Sequence, residues 1–256
     1  MFIKLTKRFI QHGLNRVGYE VRRFAPPAPD ALKPYTWLRN LKIRSVIDVG
    51  ANVGEFSSLM LQLFPECRVV AFEPLEECAE RLRTRLRSVA GSRGCVVQKA
   101  CGDKNGQAIL HASSHTHISS LYDIAPINFR FWPRIEGSFR QVSVPLVTLD
   151  SETATMTLAD PLLTKIDVEG FTKPVLTGGR ATVGRSEVVV IECSFVELYK
   201  GQVLFDWVHD FMRELGFRYA GNLDQQLDPL DGSVLQCDAV FLAGNARKAN
   251  VKRPPQ

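Results

Sequence analysis

Val46-Ile-Asp-Val-Gly-Ala-Asn-Val-Gly-Glu-Phe56 decides the fold. A β-branched apolar run breaks at Gly50 into a glycine-bearing turn and then, from Glu55, into a helical pattern, which is how strand passes to helix at the ligand-binding edge of an open α/β sheet. Gly50 and Gly54 let the backbone approach a ligand where a Cβ would intrude, and the helix opening near Glu55 aims its free N–H groups the same way. The dinucleotide fingerprint needs glycines at 50, 52 and 55, whereas this chain has Asn52 and Glu55. A pyrophosphate ligand is disfavoured on that ground.

Asp48 narrows the choice. A carboxylate two residues before the first glycine repels a diphosphate, but it suits the ammonium and sulfonium of S-adenosylmethionine. A second acid follows in Arg68-Val-Val-Ala-Phe-Glu-Pro74, where Glu73 ends an apolar strand 23 positions after Gly50. An acid there accepts both ribose hydroxyls, in nicotinamide and methyl-donor sites alike. The plainer readings are a cap or turn acid for Asp48 and a solvated strand end for Glu73.

With 256 residues, 45% of them hydrophobic, the chain can bury one large core. Its net charge of +5 is mildly basic, so nucleic acid is not expected as a partner. Met1 to Arg23 carries Lys4, Lys7, Arg8, Arg16, Arg22 and Arg23 against Glu20 alone. That segment also puts Phe2, Leu5 and Phe9 on one helical face, joined by Ile3, Ile10, Leu14 and Val17. It reads as a basic amphipathic helix, to lie on an anionic membrane, to target the chain, or to pack on its own domain or on a second copy in a homo-oligomer. Ala25-Pro-Pro-Ala-Pro-Asp30 reads as a stiff linker. The expected division is helix and linker over 1–30, one domain over 31–245, and a basic tail over 246–256.

Six cysteines (67, 78, 95, 101, 193, 237) form no C-x-x-C pair and read as reduced, buried small hydrophobes. No run approaches the ~18 apolar residues that span a bilayer, and no apolar secretory core is present. A cytoplasmic protein is expected, membrane-peripheral if the basic segment engages lipid.

Strand and helix patterns alternate: helix 31–42, strand 45–49, helix 55–64, strand 68–73, helix 75–88, strand 95–100. Further strands are expected at 107–111, 142–147, 163–167, 187–192, 218–222 and 238–242, with helices at 173–183 and 205–215. The pattern predicts a doubly wound α/β fold around a parallel sheet. His111 to Arg140 interrupts it with Ser113-Ser-His-Thr-His-Ile-Ser-Ser120, then Tyr122, Phe129, Phe131 and Trp132. An aromatic-rich insert of that kind reads as a lid over a substrate.

Leu163-Thr-Lys-Ile-Asp-Val-Glu-Gly170 repeats the logic of the first strand, delivering Asp167 and Glu169 to the carboxyl edge of the sheet. If this strand neighbours the first, Asp48, Asp167 and Glu169 share one crevice. Clustered carboxylates require a cation or a proton, and a cationic donor supplies the former. Glu169 or Asp167 is then the candidate base for an acceptor hydroxyl, the plainer alternative being a structural network that holds the turn to the helix after Gly170. His115 is a third candidate base or substrate contact; as metal ligands, His115 and His117 at i, i+2 in a polar loop are too weak a signal, and no metal is assigned. Methyl transfer from a sulfonium is an in-line displacement that needs no covalent enzyme intermediate, consistent with Cys193 and Ser194 lacking a sequence-adjacent base.

These segments resemble the FkbM family of S-adenosylmethionine-dependent methyltransferases. The likeness runs from about Ser45 to Leu242 and adds Ala100-Cys-Gly-Asp-Lys-Asn-Gly106, Val175-Leu-Thr-Gly178, Ile191-Glu-Cys-Ser-Phe-Val-Glu-Leu-Tyr199 and Asp231-Gly-Ser-Val-Leu-Gln-Cys-Asp-Ala-Val-Phe241. It implies a class I, Rossmann-like fold of seven mostly parallel strands, the last antiparallel, and O-methylation of a sugar or glycan hydroxyl or of a secondary-metabolite alcohol. It also implies that Asp48, Gly50, Asn52 and Gly54 cradle the methionine part of S-adenosylmethionine, Glu73 the ribose and Asp103 the adenine amino group, though a Gly-Asp turn explains Asp103 without a ligand. Two other classes stay open: an NAD(P)-dependent oxidoreductase, disfavoured by Asp48 and Asn52, and a non-catalytic donor-binding scaffold. For the acceptor, the insert's aromatics suit a pyranose, whereas Arg130, Arg134 and Arg140 suit an anionic sugar nucleotide or acidic glycan.

Overall fold

The computed structural model describes residues 29–113, 116–131 and 139–244. Contacts divide the chain between Pro34 and Tyr35. Every described strand belongs to the second unit.

The main sheet of that unit has seven strands in the order β3-β2-β1-β7-β8-β10-β9. These are β1 (Ser45–Val49), β2 (Arg68–Phe72), β3 (Gly94–Val97), β7 (Leu162–Ile166), β8 (Val188–Ser194), β9 (Phe217–Leu227) and β10 (Val234–Ala243). Among these seven, only β10, the last in sequence, runs antiparallel to its neighbours β8 and β9. The seven mostly parallel strands with a reversed last member are the class I methyltransferase topology that the resemblance implied. Helices α1 (Glu55–Leu63) and α2 (Glu76–Ala90) cross between the first three strands. β1 and β7 are buried along their whole length, which explains why both read as continuous apolar runs rather than alternating ones.

A second sheet of three strands, in the order β4-β6-β5, was not expected. It contains β4 (Ala100–Gly102), β5 (Gly106–Ser113) and β6 (Phe139–Thr148). The predicted strand 95–100 is therefore two strands in two sheets, since the chain turns at Gln98-Lys99 and Lys99 N–H donates to Val97 O at 2.9 Å. Strands 107–111 and 142–147, expected in the parallel sheet, pair antiparallel with each other instead. The insert is thus the long connection of a hairpin, and its described part contains the short helix α3 (Pro126–Phe131).

Three further corrections are local. Pro29–Leu41 is a 3-10 helix rather than an α-helix, and Pro34 inside it has no N–H for an α-helical ladder. After α4 (Leu149–Thr153), the single helix expected at 173–183 is α5 (Thr172–Gly178) followed by α6 (Arg180–Gly184). The break falls where the backbone runs against β4, for a Cβ on Gly178 would lie 2.0 Å from the Gly102 carbonyl oxygen. Cys95 is exposed on edge strand β3, whereas the other five cysteines are buried. A last helix, α7 (Phe205–Glu214), packs Val208 and Met212 on the core. No helix among the described residues is long and apolar enough to cross a membrane.

Candidate functional site

β1 and β7 pair in parallel, Asp48 opposite Lys165 and Val49 opposite Ile166. Helical crossovers leave β1 toward β2 and β7 toward β8, on opposite sides of this pair, so a crevice opens above the two carboxyl ends. The cleft encloses about 690 Å³, open solvent at its mouth included.

The β1 turn forms the floor. Gly50 and Ala51 N–H both donate to Phe72 O at 3.0 Å, which hooks the turn onto the end of β2. Gly50 adopts φ 81°, and a Cβ there would lie 1.7 Å from the Asp167 carbonyl oxygen. Gly54 adopts φ 82° and faces α2, where a Cβ would meet Leu82 at 2.4 Å. Close packing of chain on chain accounts for both glycines, rather than the approach of a ligand for which the sequence argued; only Gly50 lines the cleft.

Glu73 stands in the cleft wall at the end of β2. Its carboxylate accepts from Asn52 N–H and Leu75 N–H, both at 2.9 Å. Burial pushes it up to about 7 despite these two donors. Asn52 itself is left-handed, φ 47°, and its side chain meets the insert: Thr116 Oγ1 donates to Oδ1 at 3.1 Å, and Nδ2 lies 3.1 Å from His117 Nδ1. Asp48 lies beneath the floor, 1% exposed, accepting from Ser57 Oγ at 2.6 Å. Burial raises it to about 6. Asp103 is exposed on the turn between β4 and β5; Ala100 and Cys101 line the cleft in its place. Of the six residues carried over for the donor, Gly50, Asn52 and Glu73 face the cleft, whereas Asp48, Gly54 and Asp103 do not.

The opposite wall is acidic. Asp167, Val168 and Glu169 line it directly. Asp167, Glu169 and Glu192 of β8 place carboxylate oxygens within 4.8 Å of one another, a spacing that invites positive charge. Lys165 already supplies one ammonium there, 2.9 Å from Asp167 Oδ2 and 3.8 Å from Asp238 Oδ2 of β10, and 5.0 Å from the centre of the Phe56 ring. The carboxylates hold this lysine charged well above its ordinary range although it is nearly buried. Four acids around one ammonium leave the wall electronegative when ionised. Burial first, then the Asp167 charge, raises Glu169 to about 8.

Glu169 is fixed from two sides. It is left-handed, φ 49°; Tyr199 O–H donates to its Oε2 at 2.6 Å and Ser120 Oγ donates to its carbonyl at 2.5 Å. The two strands pair as expected, yet of Asp48, Asp167 and Glu169 only the last two share the crevice, with Glu73 opposite them; Asp48 is buried beneath the floor. His115 lies outside the described residues, as do Trp132 and Arg134. His117 lines the cleft instead. Arg140 pairs with Glu77, away from the cleft lining. The sequence reading missed Tyr199, Ser120, Lys165, Glu192 and Asp238. The near-alternating run Val234-Leu-Gln-Cys-Asp238 is the one signal that could have placed Asp238, by period, on the same strand face as Gln236.

Residues 48–219 match the model of the methyltransferase FkbM domain family. Over 166 residues the chain is 28% identical to the 2-O-methyltransferase NoeI of Sinorhizobium fredii (strain NBRC 101917 / NGR234), covering 62% of this chain and 66% of that protein. Over 59 residues it is 42% identical to the O-methyltransferase hasC of Aspergillus fumigatus (strain CBS 144.89 / FGSC A1163 / CEA10), covering 23% of this chain and 13% of that one. The chain therefore spans just under two thirds of the first relative and a small part of the second. Among solved structures, the magnesium protoporphyrin IX methyltransferase (ChlM) from Synechocystis PCC 6803 with bound SAM aligns at TM-score 0.44 and 11% identity, over 93% of this chain and 96% of that one.

Proposed function

The chain belongs to the FkbM methyltransferase family, and from the chemistry of its cleft we propose that it methylates a hydroxyl of a sugar or glycan with S-adenosylmethionine as donor. The observation that carries this reading is the joining of two kinds of acid in one crevice: Glu73 on the donor side, and the Asp167–Glu169 pair on the other. When bound, S-adenosylmethionine supplies a methyl group on a sulfonium. Glu73 has two backbone-anchored oxygens with lone pairs left for ribose hydroxyls. The acids of this wall, Asp167 and Glu169 with Glu192 and Asp238 behind them, ionise more readily beside a cationic donor and less readily beside a diphosphate, which argues against a nicotinamide cofactor.

In this reading Glu169, which lines the cleft and has only Oε2 engaged by Tyr199, receives the acceptor proton. Balance is simple: the oxygen–methyl bond forms as the sulfur–methyl bond breaks, sulfur keeps the electron pair, and the acceptor's proton goes to the carboxylate. At about 8, Glu169 holds its proton at neutral pH in the donor-free cleft. Glu169 would give up that proton more readily with a bound cation in the cleft, and its carboxylate would then be competent as the base. Carboxylates accepting from O–H groups, with Phe171 in the same lining, also suit a polyol better than an apolar acceptor.

Calorimetry with S-adenosylmethionine, its demethylated product and NAD tests the donor. Tighter binding of NAD than of the methyl donor overturns the reading. Mass spectrometry of glycans from the source cell after incubation with isotope-labelled donor then names the acceptor, and transfer to nitrogen or carbon rather than oxygen refutes the hydroxyl.

A further inference from the structure

Tyr199 has no counterpart in a simple donor pocket. It is 2% exposed, and its ring closes over Gly170, where a Cβ would come within 2.8 Å of the tyrosine Cβ. Its hydroxyl is aimed at Glu169 Oε2 at 2.6 Å. The segment that bears it is stitched to the insert: Ile124 bridges to Tyr199, Ala125 N–H donates to Leu198 O at 2.9 Å, Asn128 Nδ2 to the same oxygen at 2.6 Å, and Lys200 N–H to Asp123 O at 2.8 Å. Tyr199 N–H is held in turn by Gln202 Oε1 at 2.7 Å. From the same insert Ser120 reaches the Glu169 backbone.

We propose that Tyr199 is a positioning residue for the transfer site, occupying one carboxylate oxygen of Glu169 so that the other is presented to the acceptor hydroxyl. This role rests on the methyltransfer reading. A glutamate in that cluster otherwise has several partners to choose among. Lys165 on β7, Asp167 just past its end, Glu192 on β8 and Asp238 on β10 all face it, three acids repelling and one ammonium attracting. A phenol O–H adds direction to that balance, which charge alone does not. The hydroxyl remains a donor because burial first, then the charges of Glu169, Glu192 and Asp167, push the Tyr199 phenol well above its ordinary range. It therefore stabilises the ionised form of Glu169, the form that accepts a proton.

The test is a carbon-13 NMR titration of the full chain labelled in glutamate side-chain carboxyls, with the Glu169 signal assigned by its loss in Glu169→Gln. Wild type is expected to titrate near 8. Tyr199→Phe keeps the ring and removes the donor, and the midpoint should rise by about one pH unit. Site-specific 3-fluorotyrosine at 199 is a stronger donor of the same shape, and the midpoint should fall. If Tyr199→Phe does not fold, the fluorotyrosine protein decides alone. Midpoints that agree in all folded proteins overturn the assignment, because a purely structural tyrosine would leave the titration where it is. Calorimetry with S-adenosylmethionine separates the two readings. Absence of binding to wild type removes the methyltransfer reading and this role with it, whereas binding accompanied by an unmoved midpoint removes the Tyr199 role alone.

Discussion

Asp48 beneath the cleft floor, at about 6, and Glu73 and Glu169 in its walls, at about 7 and about 8, sit above their ordinary values, as do Glu192 and Asp238 behind the acidic wall. Burial is the leading cause for each. The folded state therefore binds more protons than the unfolded chain between roughly pH 4 and 8, and stability present at low pH is lost as pH rises through the folded values. The melting temperature of the donor-free chain should fall from pH 5 to pH 8.5, and Glu169→Gln should flatten the upper part of that fall; a melting curve that rises over this range refutes the assignment. Glu73→Ala should weaken S-adenosylmethionine binding by about 1.5 to 3 kcal/mol, the usual loss for a charged acceptor, and Glu73→Gln separates ligand contact from support of the Asn52 and Leu75 amides. Calorimetry reads both. Glu73 and Glu169 were legible because each ends an apolar run at the carboxyl edge, where period and topology place them without any contact being known. Tyr199 was not. Its pairing spans 30 residues of sequence and depends on a glycine, Gly170, that a phenol ring happens to cover.

At the scale of elements, the alternation of apolar runs and helical stretches identified the strands of the main sheet within a few residues. What it did not carry was a change of sheet. Cys95-Val-Val-Gln-Lys-Ala-Cys101 reads as one apolar segment, yet the backbone turns at Gln98-Lys99 and leaves the seven-stranded sheet for the smaller one. Hydrophobic period records which face is buried and not which sheet buries it. The same blindness merged α5 with α6 across Gly178 and Gly179. Gly178→Ala should destabilise the chain by about 1 to 3 kcal/mol, because its methyl would meet the rigid backbone oxygen of Gly102 rather than a side chain free to move. Gly184→Ala is the control: its Cβ meets nothing nearer than Leu215 at 3.9 Å, and its effect should stay within about 0.5 kcal/mol. Urea unfolding of the two variants measures the difference, and equal midpoints would remove the α5–β4 contact as the reason for the break.

At the scale of the molecule, the residues that match the family run from 48 to 219, and every cleft-lining residue falls between Val49 and Phe171. The reversed last strand came from the resemblance and not from periodicity, since alternation is blind to strand direction. The basic segment Met1–Arg23 belongs to neither the match nor the described residues, so its role rests on sequence: six cations, one anion and apolar residues at helical spacing. We propose that it holds the enzyme at an anionic membrane surface, where each basic residue near the headgroups contributes about 1 kcal/mol. Deleting Met1 to Phe24 should leave the dissociation constant for S-adenosylmethionine unchanged within about two-fold, because no donor-facing residue is removed. The full chain should float with phosphatidylserine vesicles and the truncation should not, and added salt should release the full chain because the attraction is screened. Equal distribution of both forms on those vesicles leaves the segment to packing on its own domain or on a second copy, and a sedimentation comparison of the two forms then tells these apart by whether deletion changes the oligomeric state.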